Sequence, residues 1–225
     1  MEPIAQCLAL ARKELLLQWR TRARFATVLV FGLATLLVFS FAVGPDSTAL
    51  RAHAAGYLWL ALLLMSTLSL QESARLDVQN GALEALVLLP VDGRALYYAK
   101  AVVNTVVLGG LGTLLIPVIV TLYDAPITEG LPWLIATIWL GAAALVAPGT
   151  LYAALTSRAR AGDVLLPLLL FPLVVPALLG AVKATEVVML GDPMGRLSSW
   201  LGLIVSFDAI YWSLCGLLYP FLLED

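Results

Sequence analysis

The chain has 225 residues, of which 61% are hydrophobic and 12% charged, with a formal net charge of −2. Soluble domains carry about 25% charged residues, so the composition excludes one and describes an integral membrane protein. Cys7 and Cys215 stand at opposite ends and His53 is the single histidine, which excludes a disulfide framework or CxxC pair and leaves almost nothing for metal or haem ligation by this chain alone.

Ahead of the first apolar run, Ile4, Cys7, Leu8, Ala11, Leu15 and Trp19 recur at helical spacing, with Gln6, Lys13, Arg20 and Arg24 opposite. The pattern predicts an amphipathic helix within residues 1–24, lying in the interface with its apolar face in acyl chains and its basic face toward anionic headgroups. It reads either as an anchor or as a lever on the first span. Six apolar runs follow, at about residues 25–43, 54–70, 101–123, 131–155, 164–182 and 200–222. Each is close to the roughly 20 residues that cross the hydrocarbon core. The first exceeds the about 7–15 residues of a signal-peptide core, so it reads as a retained span. The expectation is an all-α membrane protein: one transmembrane domain over 1–225, with no soluble domain inserted.

Lysine and arginine set the orientation. Arg12, Lys13, Arg20, Arg22, Arg24, Arg75, Arg94, Lys100, Arg158 and Arg160 fall on one side, and only Arg51, Lys183 and Arg196 on the other. The positive-inside rule puts the N-terminus in the cytoplasm, and six spans return the C-terminus there.

Residues 71–100, QESARLDVQNGALEALVLLPVDGRALYYAK, form the most polar stretch between spans. Glu72, Arg75, Asp77 and Gln79 prolong the second span as a polar helical extension, and Asn80-Gly81 ends it. A short helix restarts over residues 82–89, with Leu83, Leu86 and Val87 as an apolar stripe flanked by Glu84. Pro90 stops it, and Asp92 caps a helix that runs through Lys100 into the third span. A one-to-two-turn helix with an apolar edge and an acidic residue, held off the bilayer, has the shape of a plug for a groove on a partner. The alternative is an interfacial loop folded back on the membrane.

The third span carries Gly109, Gly110 and Gly112, which permit close helix approach, and Asn104, which can hydrogen-bond across a helix contact. The fifth holds Pro167, Pro172 and Pro176, each removing a backbone donor, and is expected to be kinked. Beyond it, the apolar patch Val187–Leu190 before the Gly191-Asp192-Pro193 turn is expected to dip back as a re-entrant or interfacial helix. Asp208 sits about eight residues inside the sixth span. A carboxylate there costs on the order of 2.5–3.5 kcal/mol on insertion scales, so it should meet a partner or a polar cavity. Asp208 and Asn104 are therefore the candidate intramembrane polar site, with Lys100, Arg158 and Asn104 as possible partners of the carboxylate.

The sequence has no GxxxxGK[ST] loop, no HExxH, no GxSxG elbow and no His/Cys cluster at ligand spacing. The reading is a non-catalytic subunit without bound metal. Its basic residues are few and flank the membrane, which excludes nucleic-acid binding.

Gly81-Ala82-Leu83-Glu84-Ala85-Leu86-Val87-Leu88-Leu89-Pro90, followed by Ala99-Lys100, resembles the G-x-L-E-x-L-x-L-x-P…(A/G)-K signature of the CcmB family, the permease subunits of cytochrome c maturation ABC transporters. Ala147-Pro148-Gly149 through Ala154-Leu155, with Arg160, Leu165-Leu166-Pro167, Pro172-Leu173 and Pro176, is a second match, and the resemblance extends to the basic N-terminal helix. It implies a six-helix half of type V ABC exporter architecture, acting as a homodimer in the bacterial inner membrane. It also implies that the loop helix docks on a cytoplasmic ATPase, which holds ATP-Mg, through Gly81, Leu83, Glu84, Leu86, Val87 and Pro90. Further cytochrome c maturation membrane subunits are implied as partners, beside membrane lipid, with haem as the substrate handled. The alternatives are a lipid or drug exporter of the same architecture and a non-transporting scaffold for cytochrome assembly.

Overall fold

The computed structural model describes residues 3–20, 22–79, 92–157 and 162–224. Every regular element among them is a helix: α1 (Pro3–Arg20), α2 (Arg22–Val43), α3 (Ser47–Gln79), α4 (Gly93–Leu122), α5 (Leu131–Thr156), α6 (Gly162–Leu190), α7 (Leu197–Leu218) and α8 (Phe221–Glu224). Helices α2 to α7 are long and apolar enough to cross a membrane.

Local chemistry marks the helix ends. After α2 the chain turns at Gly44, whose φ of 80° is a left-handed conformation that glycine adopts without a Cβ clash. Asp46 then opens α3 by accepting the Thr48 amide at 2.9 Å, and Asp92 opens α4 by accepting the Arg94 amide at 2.9 Å. Each carboxylate satisfies a donor that has no partner within its helix.

Helix α5 is the hub, packed against α3, α4, α6 and α7. Its small residues allow this. A Cβ on Gly141 would lie 2.1 Å from the Trp59 ring of α3, and one on Gly149 would lie 2.4 Å from Leu70. On α4, Gly109 and Gly112 make the same kind of approach to Trp139 and Ile138 of α5, whereas Gly110 meets nothing. Van der Waals contact between small residues drives helix association in lipid, where burial of apolar surface gives little advantage. Helices α2 and α7 are peripheral and carry exposed Val30, Val38, Phe41, Val205 and Ile210.

Three sequence expectations change. Val187–Leu190 is not a separate re-entrant element but the last turn of α6, which continues to Leu190 and stops where Gly191, at φ 101°, donates to the Val187 carbonyl. The last apolar run divides, with α7 ending at Leu218 and α8 starting at Phe221 after a turn containing Pro220. The apolar stripe of α1 also splits. Leu8 and Leu15 face outward, while Cys7 and Ala11 lie half-buried against the protein beside the buried Glu14. Helix α6 itself runs unbroken through Pro167, Pro172 and Pro176.

Candidate functional site

The residues expected from the sequence to dock on a partner, Gly81, Leu83, Glu84, Leu86, Val87 and Pro90, lie outside the described residues, as do Arg158 and Arg160. Their frame is described. Helix α3 delivers the chain to Gln79, and α4 takes it up again from Asp92. The two helices pack on each other and on α5.

Directly inside that end, Lys100 and Asn104 project from the first turns of α4 and are 4% and 3% exposed. Lys100 Nζ lies 3.5 Å from Glu14 Oε1 on α1, forming a buried ion pair between the two helices. Lys13 adds a contact to the same oxygen at 3.3 Å from a much more exposed position. Lys100 and Asn104 line a cavity of about 20 Å³ together with Ser73 of α3, Thr150 of α5, Ser157 and Tyr219. Thr150 Oγ1 is buried without a hydrogen-bond partner among the described residues.

Beside this polar pocket stands an aromatic layer. Tyr97 is fully buried, donates to the Ala147 carbonyl of α5 at 3.1 Å, and packs against Tyr98, Trp212 and Tyr219 with ring centroids 5.2, 6.5 and 5.5 Å away. Trp212 also stacks on Tyr98, tying α7 to α4. A Cβ on Gly216 would meet the Tyr98 hydroxyl at 2.5 Å, so α7 approaches α4 closely here.

Asp208 lies near the middle of α7, partly buried, with Oδ1 enclosed and without a hydrogen-bond partner among the described residues. Of the two candidate intramembrane residues, Asn104 lines the pocket with Lys100, and the residues lining that pocket do not include Asp208. Nor is Lys100 the ion-pair partner of Asp208, since it turns to Glu14. Glu14 is the residue the sequence reading missed. The available signal was a lone acidic side chain in a basic helix, seven residues after Cys7 and three after Ala11, on the protein-facing side.

The opposite end is held by loop contacts. Trp59 Nε1 donates to Thr185 Oγ1 at 2.8 Å between α3 and α6, fully buried. Tyr123, at the end of α4, donates to the Leu36 carbonyl of α2 at 2.6 Å. The Thr128 and Glu129 amides both donate to the Val188 carbonyl of α6 at 3.1 Å, and Glu129 Oε1 accepts from the Asp192 amide at 2.8 Å. Asp192 in turn accepts the Arg196 and Leu197 amides at 2.7 and 2.8 Å, opening α7. These amides, Leu197 foremost, hold the Asp192 carboxyl below the usual carboxylate range.

Comparison with known proteins bears on this arrangement. Heme exporter protein B of Rhodobacter capsulatus is 36% identical over 171 residues, 76% of this chain and 78% of the relative. The proteins of the same name from Paracoccus denitrificans and Pseudomonas aeruginosa are 35% and 34% identical, over 84% and 86% of this chain and 87% and 86% of their own lengths. The family model described as CcmB protein matches residues 5–218, from α1 through the end of α7, and the chain therefore belongs to the CcmB protein family.

Proposed function

We propose that this chain is the membrane permease subunit of an ABC transporter that acts in haem export for cytochrome c maturation. Support comes foremost from relatives named heme exporter protein B that align over most of their length with this chain. In this reading ATP is bound and hydrolysed in a separate cytoplasmic subunit, and residues 81–90 dock on it. The Lys/Arg imbalance sets the docking end, with both termini, in the cytoplasm of a bacterial cell whose inner membrane holds the protein.

The mechanical requirement is a stiff connection from the docked loop into the membrane. Helix α4 answers it on one side, since it starts at the Asp92 cap and continues without interruption to Leu122. Helix α3 answers it on the other, ending at Gln79. Nucleotide-driven movement of the ATPase displaces the loop, α3 and α4 follow, and α5, packed on both, transmits the change to α6 and α7. The consequence is either passage of haem or release of a haem-loaded carrier. Two copies of this chain and further cytochrome c maturation membrane subunits complete the assembly.

A haem stain of membrane and periplasmic proteins tests this reading in a strain lacking the gene, with and without a plasmid copy. The expected result is loss of c-type cytochromes and their return with the plasmid. An unchanged stain contradicts the haem assignment and turns attention to lipid or drug substrates.

A further inference from the structure

Helix α1 presents Leu8, Leu15 and Leu16 outward and attaches to the bundle chiefly through α4. At the centre of that contact the Glu14 carboxylate, 7% exposed, meets Lys100. Removing two charges from water is costly unless their remaining hydrogen-bonding capacity is met. Behind Lys100 lies the cavity of about 20 Å³ with the unpartnered Thr150 hydroxyl, itself 4% exposed, on its wall. A cavity needs about 10–15 Å³ and two to four polar partners to hold one water. Thr150 and Ser73 supply hydroxyls, Asn104 an amide and Lys100 an ammonium, contributed by α3, α4 and α5.

We propose that Thr150, Asn104, Ser73 and Lys100 build a site for one water molecule, and that this site with the Glu14–Lys100 ion pair forms the joint that makes α1 move with α4. The water accepts from the ammonium or amide and donates to Thr150 Oγ1, completing the hydroxyl that the described residues leave unmatched. The ion pair then holds α1 by its charged side while its leucines stay free to slide in lipid. Helix α1 thereby becomes a lever attached to the loop-proximal turns of α4. That lever role rests on the reading of residues 81–90 as the docking element; the joint itself does not.

The test uses the full chain in lipid nanodiscs, with Cys7→Ser and Cys215→Ala as background and spin labels at Leu8 on α1 and Val106 on α4. The expected result is a narrow distance distribution in the parent, a broad one in Lys100→Met, and a narrow one again in the charge-swapped pair Glu14→Lys/Lys100→Glu. A narrow distribution in Lys100→Met overturns the joint. The water site is read separately from Thr150→Val, which keeps the shape and removes the hydroxyl. Losing a water-bridged hydrogen bond lowers the unfolding temperature by about 2–4 °C, whereas an unchanged or raised value means a dry pocket and overturns the site. Co-purification of the ATPase with the same variants reports on the docking reading, so failure of that reading is distinguishable from failure of the joint.

Discussion

The two ends of the bundle are built differently. At the end away from the docking loop, buried hydrogen bonds join the helices, Trp59 to Thr185 and Tyr123 to the Leu36 carbonyl, with the 128–129 amides on Val188, stacked Phe39 and Tyr57 rings and an exposed Arg51–Asp124 ion pair. At the other end, the Tyr97–Ala147 hydrogen bond and a layer of aromatic rings stand beside a buried ion pair, a water-sized polar cavity and a hydroxyl unmatched among the described residues. Closed hydrogen bonds between helices have one good geometry. A buried charge pair beside a cavity and an unmatched hydroxyl leaves room for a second arrangement, so the first end is suited to stay fixed while the second rearranges.

The largest effect expected from breaking this contrast lies at the docking end. Leu83→Asp or Leu86→Asp should reduce the ATPase stimulation given by this chain to the basal rate while the membrane domain stays folded. Normal stimulation by both variants contradicts the docking role. Next comes Lys100→Met, which leaves the half-buried Lys13 beside the buried Glu14 carboxylate and should destabilise the protein by about 1–3 kcal/mol. Unfolding in mixed micelles measures it, and the double variant Glu14→Gln/Lys100→Met should recover most of the loss.

At the fixed end and in the hub the effects are smaller. Gly141→Ala drives a methyl into the buried Trp59 ring, so it should cost about 1–3 kcal/mol and loosen the Trp59–Thr185 bond. Gly110→Ala, into open space on α4, should instead leave stability unchanged or slightly raised, because alanine favours the helix. The smallest effect concerns Asp192. Its folded carboxyl titrates below its unfolded value, so its contribution is present above about pH 3.9 and disappears as pH falls through the folded value. The stability difference between wild type and Asp192→Asn should therefore be constant at pH 5 and above and vanish in stronger acid.

The helices were legible because lipid demands long apolar runs, and runs of this length have few alternatives. The Asp92 cap was legible for a local reason, since the carboxylate and the amide it accepts are two residues apart. Val187–Leu190 was misread because an apolar stretch beyond a proline-rich span looks separate when judged by length, yet the amides needed to continue α6 were all present. The split face of α1 and the role of Glu14 depend on α4 lying alongside α1, a long-range fact that helical spacing does not encode. Asp208 and Asn104 stand out in the sequence by polarity at depth; which neighbours each meets follows from which way α7 and α4 are turned, and composition holds no record of that.

Paired spin labels in the assembled transporter test the central claim most directly, with one pair at each end. Leu8 and Leu155 report on the docking end; Phe41 and Leu131 report on the other, and all four side chains are exposed. On adding a non-hydrolysable nucleotide, the account predicts a change in the Leu8–Leu155 distance and none at Phe41–Leu131. A shift at Phe41–Leu131 with Leu8–Leu155 unchanged would contradict it.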